Sequence, residues 1–127
     1  MQLHLERPDY TYFLRGADGA SVLVNERTLR RSCFVSPETL VEDWPWTDAA
    51  TLPPEALEPV LALQPELVVL GTGARQAFPP AATMAAALRR GIGLEAMTND
   101  AAARTYSVLA GEGRRVVAAF LLPAAVA

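Results

Sequence analysis

The run Leu67-Val68-Val69-Leu70 constrains the fold more than any other segment of the chain. It is apolar on both faces and lies between Pro65-Glu66 and Gly71-Thr72-Gly73. A half-exposed strand alternates apolar and polar residues. Four apolar residues in a row between turn signals read instead as a central strand covered on both sides. The chain must therefore place one layer above this strand and another below it.

The residues after it have the helical period. Pro79-Pro80 opens a predicted helix over residues 80–90, because proline is tolerated in a first turn where its missing donor would have no partner. Ala81, Met84, Ala85 and Leu88 fall at i, i+3, i+4 and i+7 and form its apolar face. Arg89-Arg90 suit the negative end of the helix dipole, and Gly91 suits the left-handed position that follows. Residues 92–97 read as the next strand. Thr98, Asn99 and Asp100 offer N-caps for a third helix that ends near Gly111. Its apolar arc holds Ala101, Ala102, Thr105, Tyr106 and Leu109, with Arg104 and Ser107 on the remaining side. Residues 116–122 form the last strand, ended by Pro123.

The first half reads as strands and turns. Tyr10, Tyr12 and Leu14 alternate with Thr11, Phe13 and Arg15, and Gly16-Ala17-Asp18-Gly19 is a turn cluster. Val22 and Val24 flank Leu23, and Asn25-Glu26 offers a second turn. Residues 32–36 and 40–44 add two short strands, so an antiparallel meander is expected. A loop over 45–54 follows, packed down by Trp44 and Trp46. A short helix over 55–63 is limited by Pro59. The order of elements indicates an α/β sheet with helices on its faces. At 127 residues it fits one domain over 1–127, with residues 1–9 expected as a poorly ordered tail.

Composition narrows the function. The net charge of −3 argues against a nucleic-acid partner; all eleven basic residues are Arg, which reads as genomic base composition. The N-terminus lacks the apolar segment of a signal peptide. The longest apolar run, residues 116–127, contains Pro123 and is short of the ~20 residues of a spanning helix. A cytoplasmic protein, monomeric or weakly self-associating, is expected. Cys33 is the one cysteine and reads as a small buried hydrophobe. His4 is the one histidine, so a multi-histidine metal site or a histidine relay is excluded. No cofactor, metal or catalytic constellation is expected.

The candidate site is the carboxyl end of the central strand, because ligands of open α/β sheets bind beyond the carboxyl ends of strands. Gly71-Thr72-Gly73 lets a ligand approach the backbone, although it is neither a GxxxxGK[ST] loop nor a GxGxxG fingerprint. Gln76 adds a polar group. If the strands are parallel, Glu95, Met97, Thr98 and Arg104 reach the same edge, with Arg104 and Glu95 as an expected pair. Arg30-Arg31, Arg89-Arg90 and Arg114-Arg115 read as solvated surface.

The second half also carries a resemblance. Leu70-Gly71-Thr72-Gly73, Gln76-Ala77-Phe78-Pro79-Pro80, Gly91-Ile92-Gly93-Leu94-Glu95-Ala96-Met97, Arg104-Thr105-Tyr106 and Glu112-Gly113-Arg114-Arg115-Val116 occur in order. This set resembles the family of small α/β proteins that includes the mitochondrial complex I assembly factor 3 and the adipogenesis-associated Mth938-type domain-containing protein. The match is good over about residues 65–123. It departs at Asn99 and Ser107, where the family tends to have Thr and Asn. The resemblance implies a three-layer α/β fold whose mixed central sheet has one strand antiparallel to the others. It implies no enzyme activity, cofactor or substrate.

Two functions compete. One is a non-catalytic interaction or assembly factor with a protein partner. The other is a small-molecule, possibly anion, binder or enzyme using Gly71, Thr72, Gly73, Gln76, Glu95, Met97, Arg104 and Tyr106.

Overall fold

A computed structural model describes residues 8–124 of the chain. Residues 1–7 of the expected tail, His4 among them, lie outside the described residues, as do 125–127.

The chain first forms a small antiparallel sheet of β1 (Leu14–Ala17), β2 (Val22–Val24) and β3 (Arg27–Leu29). The strand expected from Tyr10 starts later, at Leu14. Residues before it form a strap instead: the Thr11 and Tyr12 N–H groups both donate to the Pro37 carbonyl at 3.1 Å. Gly16 and Ala17 belong to β1, and the turn is built by Asp18, whose Oδ1 accepts from the Ala20 and Ser21 N–H groups at 2.9 and 2.8 Å. β3 was not legible in the sequence, because Arg27 and Thr28 are exposed and only Leu29 is buried.

The expected meander ends there. β4 (Cys33–Val35) and β5 (Leu40–Val41) leave it and join a second, five-stranded sheet with β6 (Leu67–Gly71), β7 (Gly93–Met97) and β8 (Val116–Phe120). The order is β5-β4-β8-β6-β7. β6 pairs in parallel with both neighbours, and β4 is antiparallel to β8 and to β5, so β4 alone runs against the rest. The sheet is mixed, as the resemblance implies.

Three helices cover it: α1 (Glu58–Leu61), α2 (Ala81–Leu88) and α3 (Asn99–Gly111). The helix expected over 55–63 is shortened to the four residues of α1, which begins at Glu58, the residue before Pro59. The preceding turn, Pro54–Leu57, is 3-10, and Pro59 stands in the opening turn of α1, where its missing donor costs nothing. α2 ends at Leu88, two residues earlier than expected, and the turn after it closes at Gly91, which takes the left-handed conformation expected of it. Gly91 takes φ +71, its N–H donates to Leu88, and the Ile92 N–H reaches the Ala87 carbonyl, which together satisfy the last carbonyls of the helix.

The connection β6-α2-β7 runs one way along the sheet and β7-α3-β8 runs back across β6. Parallel crossovers are right-handed, so the reversal sends α2 and α3 to opposite faces. Two cores result. Val69, Ala118 and Phe120 face α3 and the small sheet, and Val68, Leu70, Val117 and Ala119 face α1 and α2. The three layers demanded by Leu67–Leu70 are present.

One helix lies differently from its spacing. α2 buries Thr83 and Ala87, not the Ala81, Met84, Ala85 and Leu88 face. Thr83 turns inward because its hydroxyl donates to the Leu52 carbonyl at 2.5 Å. The apolar face that the spacing singles out lies on the outer side.

Candidate functional site

The carboxyl ends of β6, β7 and β8 lie together, and Gly71, Thr72, Gly73, Gln76 and Met97 meet there. Their polar groups are engaged with the chain itself. The Thr72 hydroxyl donates to the Arg75 carbonyl at 2.7 Å, lies 3.1 Å from the Met97 carbonyl and accepts from the Ala77 N–H at 3.1 Å. Gln76 donates through Nε2 to the Ala96 carbonyl at 2.9 Å. β7 is an edge strand, and its Met97 carbonyl and Gly93 N–H point towards β6 and the segment before it. Ala96 therefore points away, so Gln76 closes part of the free edge.

The centre of this edge is a residue that sequence reasoning took for a helix cap. Asn99 is fully buried. Its Oδ1 accepts from the Gly73 N–H at 3.0 Å, and its Nδ2 donates to the Leu121 carbonyl at 3.1 Å and the Asp18 carbonyl at 3.0 Å. One amide thus ties together the ends of β6, β8 and β1. It sits between the ends of β6 and β8. The crevice where an open α/β sheet holds a ligand lies between β6 and β7, whose connections leave to opposite faces, and there Thr72 bonds the Met97 carbonyl. Gly71 is required there by close approach: a Cβ on it would overlap Asn99 Oδ1 and press on the Phe120 ring. The available signal was chemical, since Asn both donates and accepts and is a weak helix former.

Arg104, Tyr106 and Glu95 belong elsewhere. Arg104 does not pair with Glu95; it reaches Asp100 one turn earlier at 3.0 Å, and both are exposed. Thr98 and Arg104 together hold the Asp100 carboxyl below its usual range. Arg104 lines an open groove between β1 and α3 with Arg15 and Ser107. Tyr106 is buried in the core beside α3, donates to the Tyr12 carbonyl at 2.6 Å and meets the Tyr10 ring edge-on at 6.3 Å. Burial pushes its phenol far up. Glu95 is exposed on β7, in register with Val69 and so on the α3 side. Cys33 is buried, and desolvation pushes its thiol up to about 12, which removes the thiolate at neutral pH. Among the described residues no three His, Cys, Asp or Glu side chains gather as a metal site.

A different surface stands out on the opposite layer. Phe78 is 63% exposed and Leu88 75% exposed. Between them α2 shows Ala81 and Ala82 to solvent, with Met84 and Ala85 half-buried. The helix carries no charged residue. An amphipathic surface helix normally turns a polar face outward. Phe78 is held at the end of the loop fixed by Thr72 and Gln76.

Comparison with known proteins agrees with this architecture. The chain is 55% identical to a Xanthomonas campestris protein solved by NMR, with a TM-score of 0.81 over 95% of this chain and 92% of that one. A Bordetella pertussis protein described as a Mth938-like domain gives 29% identity and a TM-score of 0.80, again over 95% and 92%. Two curated relatives are also similar. One, from Francisella tularensis, is named 13 kDa major membrane protein and is 32% identical over 69 residues, 54% of this chain. The other, from Danio rerio, is named NADH dehydrogenase [ubiquinone] 1 alpha subcomplex assembly factor 3 and is 30% identical over 118 residues, 91% of this chain. The aligned segments span 56% and 64% of the lengths of these two relatives. No helix among the described residues is long and apolar enough to cross a membrane. The family model described as Protein of unknown function (DUF498/DUF598) matches residues 14–121, and the chain belongs to that family.

Proposed function

We propose that this protein is a non-catalytic interaction factor of the assembly type that docks a partner protein on the outer face of α2. The observation that carries this reading is the pair of large apolar side chains, Phe78 and Leu88, standing in solvent at either end of an uncharged helix. Large apolar side chains in solvent mark an interaction site when they form one patch. The name of the Danio rerio relative, an assembly factor, points the same way. On this reading Gly71, Thr72, Gly73, Gln76 and Met97 contribute by fixing the loop that presents Phe78. A cytoplasmic location is part of the same reading, and the identity of the partner tests it.

The ligand-binding alternative has less support. Thr72 bridges the ends of β6 and β7, where a ligand would sit, and Thr72 and Gln76 are bonded to the chain's own carbonyls.

The test is a quantitative pull-down from extract of the source cell with the wild-type protein and a Phe78→Ser/Leu88→Ser variant. A partner captured by the wild type and lost by the variant is expected. Nothing enriched over control, or capture unchanged by the variant, sinks the reading.

A further inference from the structure

At the end of the sheet away from Gly71 and Thr72, β8 runs further than its neighbour β4. The two strands pair from Cys33↔Phe120 to Val35↔Ala118, whereas β6 stays beside β8 down to Val116. Continued by two residues, the register of β4 sets Pro37 opposite Val116. Pro37 does not take up the pairing. Proline has no N–H to give, and the Pro37 carbonyl accepts from Thr11 and Tyr12. The chain turns back instead: the Ser36 N–H donates to the Thr39 carbonyl at 2.8 Å, and Ser36 Oγ accepts from the Glu38 and Thr39 N–H groups.

Successive residues of a strand aim their backbone groups to alternate sides. The Leu121 N–H donates to the Gly71 carbonyl of β6, so Ala119 and Val117 also face β6, while Ala118 and Val116 face β4. The Val116 N–H and carbonyl have no hydrogen-bond partner among the described residues, yet Val116 is only 1% exposed. Buried backbone groups are nearly always paired. A cavity of about 250 Å³ lies here, bounded by Val116 and by the Ser36–Thr39 turn across from it. Tyr10 and Ala110 line it on the α3 side of the sheet and Leu63 on the other.

We infer that this cavity binds the free amino end of an amino acid or short peptide whose first residue has an apolar side chain. Such a residue supplies what Pro37 does not. Its ammonium group donates to the Val116 carbonyl and its own carbonyl oxygen accepts from the Val116 N–H, the two-bond exchange of an antiparallel pair. Running in the direction of β4, it has its amino end towards Ser36. β4 itself fills that line, so no residue can precede it and the group there is a chain terminus. The charges agree. Asp9 and Glu38 line the cavity, and their carboxylates make no hydrogen bond or ion pair among the described residues. They attract an ammonium and repel the carboxylate that the reverse direction would bring. The carboxyl end leads towards Arg115, which donates to the Gln64 carbonyl and has no carboxylate partner among the described residues. Capture of a terminal amine is a recurring mode of peptide recognition. Residues directly opposite in an antiparallel pair share a face, so the first side chain lies with Val116, against Tyr10 and Ala110. The ligand is small, because pockets for drug-sized molecules hold about 300–1,000 Å³. This site is separate from the α2 face, so its test is independent of the function proposed above.

The experiment is titration of the isotope-labelled full chain, followed by amide NMR, with leucine, leucinamide, leucylglycine and N-acetyl-leucylglycine. Saturable shifts at the Val116 and Thr39 amides are expected with the free amines and none with the acetylated peptide. Tighter binding of leucine than of leucylglycine makes the ligand a free amino acid, the reverse makes it a peptide end, and either supports the inference. Asp9 and Glu38 are exposed, and an unchanged thermal melt confirms that the Asp9→Asn/Glu38→Gln variant folds. It should bind leucinamide about two- to fivefold more weakly, the effect of an exposed ion pair. Equal shifts with the acetylated peptide, shifts that miss Val116, or binding unchanged in the variant overturn the inference. So does the absence of any shift at millimolar probe.

Discussion

Asn99 and Gly73 are bonded in both directions: the Asn99 N–H donates to the Gly73 carbonyl at 2.9 Å, and the Gly73 N–H donates to Asn99 Oδ1 at 3.0 Å. With the two bonds from Nδ2 to Leu121 and Asp18, the side chain satisfies backbone groups from three separate strand ends. Replacing it by alanine leaves the buried Leu121 carbonyl and the part-buried Gly73 N–H and Asp18 carbonyl without this partner. We expect Asn99→Ala to lose about 3 kcal/mol of stability, the sum expected when more than one buried polar group is orphaned. Urea unfolding measures this, and a loss below about 1 kcal/mol contradicts the role given to the amide.

Asn99→Asp tests the same site by pH. The carboxylate cannot donate to Leu121 or Asp18, and burial favours its neutral form, so its folded pKa lies above its unfolded one. The penalty is therefore greatest above that raised pKa and shrinks as pH falls through it. The difference from wild type should narrow between pH 7 and pH 5. Asp18 is held below its ordinary range by the Ala20 and Ser21 N–H groups and stays charged over that interval, so it does not confuse the comparison. A difference independent of pH shows that the introduced carboxylate is solvated and the crevice open.

The packing of Gly71 against Asn99 gives a coupled prediction. Gly71→Ala forces its Cβ into Asn99 Oδ1 and the Phe120 ring, and should cost about 1–3 kcal/mol as overpacking does. In the Asn99→Ala background most of that clash is gone. The two substitutions should then be less than additive, which a double-mutant cycle reads directly. Strict additivity means that the two residues do not touch in solution.

Part of this arrangement was legible and part was not, for one physical reason. Leu67–Leu70 and Gly91 announce themselves because burial on both faces and a left-handed backbone are local demands on residue type. Asn99 does not, because its partners Asp18 and Leu121 lie 81 and 22 residues away. The orientation of α2 was hidden for a related reason. Ala81–Leu88 is apolar nearly all round, so spacing cannot say which side faces the sheet, and the choice is made by Thr83 finding the distant Leu52 carbonyl. Arg104 was assigned to the wrong partner because a carboxylate four residues away on its own helix, Asp100, competes with one on a strand.

Tyr106 anchors the N-terminal strap through the Tyr12 carbonyl. Tyr106→Phe keeps the ring and its packing on Tyr10 and removes one hydrogen bond. A loss of about 1 kcal/mol is expected. Amide exchange should quicken selectively at Thr11 and Tyr12, whose N–H groups bond Pro37. Exchange that quickens uniformly across the domain indicates global destabilisation and not a local tether.

Gln76 and Glu95 guard the free edge of β7. Gln76 occupies the Ala96 carbonyl, and Glu95 stands in the middle of the strand. Two β7 strands pairing antiparallel about a twofold axis at Glu95 would set the two carboxylates directly opposite each other, which is destabilising. Edge strands of natural sheets are protected by such charges and by covering groups. A Gln76→Ala/Glu95→Thr variant removes both, and threonine favours the strand as glutamate does not. The variant should form dimers or larger species as concentration rises, seen by light scattering, while the wild type under the same conditions does so less. Restoring either Gln76 or Glu95 alone should reduce the association. If the double variant associates no more than wild type, the edge is kept single by its shape, and these two side chains are free to serve another purpose.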